Sequence, residues 1–143
     1  MTPENCKKAE WLRRYQKINR RINRKCEEVS QLRELATKIT PTLSDMPKGN
    51  QTSDKVSEAV SKIADLEKEI DAEVDALVAI RNQIQAAIEA IQDDTLKTLL
   101  EYRYIDGLTW EKIAVKMNYS YMHVCRLHGK AINVIECYTP PVI

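Results

Sequence analysis

The chain has 143 residues, a formal net charge of +1, 43% hydrophobic residues, and only three Gly and five Pro. This composition favours helices and argues against a β-sandwich or β-barrel, because both of those folds need many turns. No apolar run approaches the roughly 20 residues of a membrane span. The N-terminus also lacks the apolar core of a secretory signal, so we expect a cytoplasmic protein with no membrane partner.

The near-zero net charge is unevenly distributed along the sequence. Residues 1–40 carry a net charge of +6, residues 41–92 carry −5, and residues 93–143 carry 0. The four cysteines form no C-x-x-C pair, and in a chain without a signal they are expected to be free thiols. Each third of the chain therefore has its own electrostatic character.

The first third has the apolar spacing of a long helix. Apolar residues recur in steps of three, four or seven from Trp11 to Ile39, and Pro3 suits a first helical turn. Pro41 is expected to end this helix, and residues 41–53, which are rich in small polar residues, are expected to form a loop.

The second third predicts another long helix, over residues 54–92. Val56, Ile63 and Ile70 begin a strict seven-residue apolar repeat that continues to Ile91. Two long helices joined by a short loop predict an antiparallel, coiled-coil-like hairpin over residues 1–92.

Charge supports the register of this hairpin. Residues 13–25 carry seven positive charges and no acid, whereas residues 65–75 carry six acids and one lysine. Folding the chain about the loop places the two blocks beside each other, where they would attract. Binding of the basic block to DNA is the alternative that the sequence leaves open.

The apolar arc of the second helix is wider than one partner helix can cover, which predicts self-association. A patch of that size, if exposed, is typical of an interaction site. We expect a homo-oligomer, most simply a two-fold dimer. The residues expected at its interface are Leu77, Ile80, Ile84, Ile88 and Ile91.

The heptads stop after Gln92, and residues 93–138 predict three short helices. The first is expected over residues 95–104, the second over 110–117 behind the N-cap Thr109, and the third over 121–137 behind the N-cap Ser120. Two helices at a tight turn, preceded by a supporting helix, indicate a helix-turn-helix. Residues 139–143 are expected to be a tail. The predicted fold class is all-α.

The sequence "LLEYRYIDGLTWEKIAVKMNYSYMHVCRLHGKAINVI" resembles the fourth conserved region of bacterial sigma-70-type factors. The segment "RYIDGLTWEKIA", the capping serine and the buried positions Val124 and Leu127 carry the resemblance. The whole chain is most similar to small phage-encoded sigma-like regulators, in which a long helical segment precedes such a domain. The resemblance implies binding to double-stranded DNA, with RNA polymerase as the candidate protein partner.

The resemblance also implies which side chains face DNA. The family's base-reading positions fall on Tyr121, Met122 and Cys125, with Arg126 beside them, and these positions are often Arg, Glu or Lys in the family. Other residues of the third helix are expected nearer the phosphates, namely Ser120, His123 and Lys130.

The histidines and cysteine of this helix do not predict a metal site. On a helix His123 and Cys125 diverge by about 200°, and a structural zinc site needs converging ligands. For His128 we expect a solvated or core-edge position, and for His123 either phosphate contact or plain exposure. We expect no metal, no cofactor and no catalytic activity, because no nucleophile–base pair is evident.

The sequence is compatible with three functions. The leading prediction is a sequence-specific transcriptional regulator of phage or prophage type, whose third C-terminal helix enters the major groove. The alternatives are a phage DNA-packaging protein similar to a small terminase subunit, and a structural coiled-coil adaptor. An adaptor would show no salt-dependent DNA binding.

Overall fold

The computed structural model describes residues 2–45 and 49–137, with side chains described for residues 2–38 and 54–137. The fold is all-α, and no strand occurs in these residues. None of the helices in this part of the chain has the length and apolar character needed to cross a membrane. The helices are α1 (Pro3–Asp45), α2 (Gly49–Glu89), α3 (Asp94–Leu100), α4 (Trp110–Met117) and α5 (Tyr121–Val134), and a π-helical turn (Glu101–Ile105) follows α3.

The connection between the long helices is shorter than the loop expected at residues 41–53. Helix α1 continues past Pro41 to Asp45, and α2 begins at Gly49. A proline removes one backbone hydrogen bond and crowds the preceding turn. Pro41 lies only four residues before the end of α1, so this cost falls on one turn near the C-terminal end of the helix. The expected tail, residues 139–143, lies outside the described residues.

Three other helix ends also differ from the predicted ones. Helix α2 ends at Glu89, before the expected residue 92, and Asp93 starts α3 by accepting hydrogen bonds from the backbone N–H groups of Thr95 and Leu96. The helix expected over residues 95–104 is α3 followed by the π-helical turn, and α5 ends at Val134 instead of the expected residue 137. The Lys8 ammonium donates to two carbonyls of the final turn of α5, which satisfies groups that a longer helix would have paired internally.

The chain divides into two compact units whose boundaries differ from the predicted division at residue 92. One, here called the core unit, combines residues 2–18 with 77–137. The other, here called the hairpin unit, contains residues 19–76. Residues 2–18 therefore belong with α3, α4 and α5, and a domain starting at residue 93 would lack part of its own core.

Ion pairs link the two helices of the hairpin unit in an antiparallel register. Lys25 lies 3.4 Å from a carboxylate oxygen of Glu69 and 3.3 Å from one of Glu73, and Arg21 lies 3.6 Å from Glu73. Further along the two helices, Lys62 pairs with Glu28 and Arg33 pairs with Glu67. The predicted attraction between the basic and acidic blocks is therefore confirmed within this unit.

The apolar core of the hairpin unit is small. Among its described residues, only Ile22, Val29 and Leu66 are buried hydrophobic side chains. By contrast, Val60 is 56% exposed and Val74 is 38% exposed. Two helices alone cannot enclose all their apolar side chains, so these two valines of α2 remain in contact with solvent.

The core unit contains one continuous hydrophobic cluster. Leu12 of α1, Ile84 and Ile88 of α2, and Leu99 of α3 are fully buried in it. Ile113 of α4 and the inner face of α5 complete the cluster. At about 1.5–3 kcal/mol for each fully buried aliphatic side chain, this cluster supplies the dominant stabilising contribution within the unit.

Three of the five residues expected at a self-association surface are already covered within the chain itself. Ile84, Ile88 and Ile91 are buried in the core unit of the chain itself, and Leu77 and Ile80 are half-buried. The apolar arc of α2 is wide because α1, α3, α4 and α5 all contribute to the cluster that covers it. A second copy of the chain is not needed to bury these three residues.

Candidate nucleic-acid interface

The local sequence fixes the start of α4 and of α5. The side-chain hydroxyl of Thr109 accepts a hydrogen bond from the backbone N–H of Lys112 at 3.3 Å. The hydroxyl of Ser120 does the same for the backbone N–H of His123 at 3.1 Å. Both residues have the extended backbone of an N-cap, as predicted, so each helix begins at a defined residue.

The turn between α4 and α5 depends on Asn118. This residue has φ 59° and ψ 44°, the left-handed conformation that asparagine tolerates better than most residues. The backbone N–H of Asn118 donates to the carbonyl of Val115, and that of Tyr119 donates to the carbonyl of Ala114. These bonds close α4 and set the direction in which α5 leaves the turn.

The inner face of α5 anchors the helix in the core unit. Val124, Ala131 and Ile132 are fully buried, and Leu127 packs against the same cluster. Their three- and four-residue spacing places them on one face of the helix. The opposite face is therefore directed away from the core.

The residues expected to contact DNA all lie on the outward side of α5 or at its cap. Among their large hydrophobic side chains, Met122 is 67% exposed and Tyr121 is 49% exposed. No residue of the predicted set is buried. The exposed set consists of Ser120, Tyr121, Met122, His123, Cys125, Arg126 and Lys130.

The charge of this region differs from that of the whole C-terminal third. Residues 110–134 contain four cations, Lys112, Lys116, Arg126 and Lys130, and one carboxylate, Glu111. Their net charge is therefore +3, although residues 93–143 are neutral overall. Helix α5 itself contains no acidic residue. The other acids of residues 93–143 lie before α4 or after α5, which leaves this segment suited to an anionic partner.

His128 is buried, at 8% exposure, which corrects the expectation of a solvated or core-edge side chain. Its Nε2 shares a hydrogen bond of 2.7 Å with the Tyr104 hydroxyl, and its ring meets the Trp110 ring edge-on at 4.6 Å. Burial lowers the pKa of His128 to about 4, and the positive charges of Arg103 and Arg13 contribute in the same direction. The neutral imidazole is thus part of the packing that supports α5.

His123 occupies a different environment on the other side of the helix. Its ring packs edge-on against Tyr119, with 4.7 Å between the ring centroids. Because His128 is bonded to Tyr104 inside the unit, it does not converge with His123 and Cys125 on a shared site. In the part of the chain that the structure describes, no group of three metal-binding side chains is present.

Sequence reasoning missed the aromatic and cationic cluster behind α5. The Arg103 guanidinium lies 4.2 Å from the centre of the Trp110 ring and donates a 3.0 Å hydrogen bond to the carbonyl of Leu108. Tyr104 is buried, and its pKa is raised chiefly by that burial. The sequence does contain one signal for the burial of His128. It follows Val124 by four residues and precedes Ile132 by four, which places it on the buried face of the helix.

Comparison with known proteins gives a family without an assigned activity. Residues 14–136 match the family described as "Protein of unknown function (DUF722)". The chain belongs to the DUF722 family. No curated protein and no solved structure matches it. In this DUF722 chain the matched residues include all of α2 to α5, so the candidate interface lies inside the family's domain.

Proposed function

We propose that this DUF722 protein is a sequence-specific DNA-binding transcriptional regulator of phage or prophage type that inserts α5 into the major groove. The observation that carries the proposal is the outward face of α5. This face is exposed and free of carboxylates, its helix has an N-cap, and it belongs to a two-helix segment with a net charge of +3. The resemblance of residues 99–135 to the fourth sigma region supports the same function.

The exposed side chains divide into two groups by position. Ser120 and His123 lie at the N-terminus of α5, where backbone N–H groups and the helix dipole favour a phosphate. Tyr121, Met122 and Arg126 point outward from the first two turns, the part of a recognition helix that contacts base edges. Phosphate contacts would orient the domain, and base contacts would give specificity.

One copy of this surface offers few cations, so its affinity for DNA should be modest. Each neutralised phosphate adds to affinity through counterion release, and residues 110–134 supply only four cations. Binding of two copies, or docking on RNA polymerase, would raise the effective affinity. We propose that self-association uses the face of α2 that carries the exposed side chains of Val60 and Val74, because Ile84, Ile88 and Ile91 are already buried.

Selection of duplexes from a random pool with the full chain tests the proposal. We expect a preferred sequence whose affinity falls as salt is raised. Arg126→Ala should cost about 1–3 kcal/mol on that sequence, whereas Lys130→Ala should weaken all duplexes about equally and flatten the salt dependence. Arg81→Ala is the matched control, because Arg81 is an exposed cation on α2 rather than α5. No selected sequence, or no effect of Arg126→Ala, would contradict the proposal.

The structural adaptor is the second candidate, and the hairpin unit favours it. Its small buried core and its exposed Val60 and Val74 would suit a partner helix. An adaptor would retain its partner after Arg126→Ala and would show no salt-dependent DNA binding. A DNA-packaging protein would bind DNA through the same face of α5 but would select genome-end sequences. In each case the protein would act in the cytoplasm without catalysis.

A further inference from the structure

The outward face of α5 lacks the side chains that usually read adenine and cytosine. Asn and Gln form paired hydrogen bonds with adenine, and Asp and Glu accept from the amino group of cytosine. Residues 119–132 contain none of these four residue types. Hydrogen-bonded recognition of these two bases by the usual side chains is therefore absent from the centre of this face.

The same face presents apolar surface where those side chains would stand. Met122 and Tyr121 are exposed, at 67% and 49%, and Cys125 is exposed one turn after Tyr121. Interaction with Cys125 is the largest cause of the raised pKa of Tyr121, which is consistent with two side chains that lie close together. Arg126 is the one side chain in residues 119–127 that could bond guanine at two points.

We propose that α5 reads thymine through its C5-methyl group, with Tyr121, Met122 and Cys125 forming the apolar contact. In the major groove the methyl group is the one apolar feature that distinguishes thymine from the other bases. The selected site should therefore combine one or more thymines with a guanine opposite Arg126. This inference rests on the proposed function and specifies the chemistry that the site recognises.

The packing of α5 makes such a contact selective. The N-cap Ser120 fixes the first turn, and the His123 ring packs edge-on against Tyr119. Val124 and His128, on the opposite face, hold the helix against the core unit. Met122 is thus a flexible side chain on a fixed backbone, suited to contact a methyl group closely.

Replacement of thymine by deoxyuridine tests the proposal, because it removes the methyl group and leaves every hydrogen-bonding group in place. The probe is the duplex selected by the full chain, synthesised with one thymine at a time changed to deoxyuridine. At one or more positions we expect the Kd to rise about fourfold, the effect of losing one buried methyl contact. Met122→Ala should bind the thymine and deoxyuridine duplexes equally well.

Val134→Ala is the matched control, because Val134 is an exposed apolar side chain near the other end of α5. This variant should keep the thymine preference of the parent protein. Equal affinity of the parent chain for all thymine and deoxyuridine duplexes would overturn methyl recognition and leave the proposed function standing. Failure to select or bind any duplex would overturn both. A preference that persists in Met122→Ala, Tyr121→Ala and Cys125→Ala would show that these residues do not read the methyl group.

Discussion

Replacing His128 with glutamine should remove a large part of the acid sensitivity of this protein. Glutamine can still bond the Tyr104 hydroxyl but cannot take up a proton near neutral pH. His128 is the residue to change because its imidazole is buried among Tyr104, Trp110 and the charge of Arg103. Protonation would place a positive charge in this enclosed space.

The size of this loss of stability follows from the difference between the pKa of His128 in the folded protein and in the unfolded chain. The pKa of His128 is about 4 in the folded protein, compared with an ordinary value of 6.5 in the unfolded chain. As the pH falls, His128 therefore takes up its proton first in the unfolded chain. The stability contributed by the neutral His128 is fully present above pH 6.5 and is lost progressively as the pH falls from 6.5 to 4. At about 1.36 kcal/mol for each pKa unit, the loss between pH 7 and pH 4 is about 3 kcal/mol.

Urea unfolding between pH 8 and pH 4.5 measures this effect. The free energy of unfolding of the parent chain should fall more steeply with pH than that of His128→Gln, even though the variant is less stable at pH 8. Nuclear magnetic resonance can follow the imidazole directly, since the chain has two histidines and His123→Gln assigns them. Parallel curves for the parent chain and His128→Gln would refute the reasoning.

Three further predictions concern α5. Gly129→Ala should stabilise the protein by about 0.5–1 kcal/mol in urea unfolding, because a Cβ there meets no atom within 4 Å and glycine weakens a helix interior; a lower urea midpoint would contradict this. Ser120→Ala should cost about 1 kcal/mol by leaving the His123 backbone N–H without its cap, whereas Ser120→Asp should retain most of the stability. Modification of the exposed Cys125 by maleimide should block DNA binding. DNA binding by Cys125→Ser should therefore survive maleimide treatment, whereas DNA binding by Cys6→Ser should still be lost.

The caps and the charge register were predictable because they depend on local or paired residue types. Thr109 and Ser120 each precede a helical apolar pattern, and each hydroxyl accepts the expected backbone hydrogen bond. The basic and acidic blocks were long enough to indicate which parts of the two helices lie side by side, and Lys25 meets Glu69 and Glu73 as expected. These features need no knowledge of the tertiary fold.

The residues that cover each apolar face were not predictable in the same way. A periodic pattern identifies the face of a helix that avoids water but does not identify its partner. Ile84 and Ile88 therefore suggested a dimer interface, although Leu12 and Leu99 of the same chain share their buried cluster. The burial of His128 was missed for a related reason, because its partner Tyr104 lies 24 residues earlier in a π-helical turn.

The joining of residues 2–18 with residues 77–137 in one core has a consequence for synthesis. The ribosome makes Trp11 and Leu12 more than 100 residues before Val124 and Ile132, a delay on the order of ten seconds at usual elongation rates. During that interval the early apolar side chains lack their final neighbours, and closing so long a loop slows folding. A nascent chain that ends before residue 132 thus cannot hold α5 in its native setting, so the exposed face of α5 takes its final position only after Val124 and Ile132 have been made.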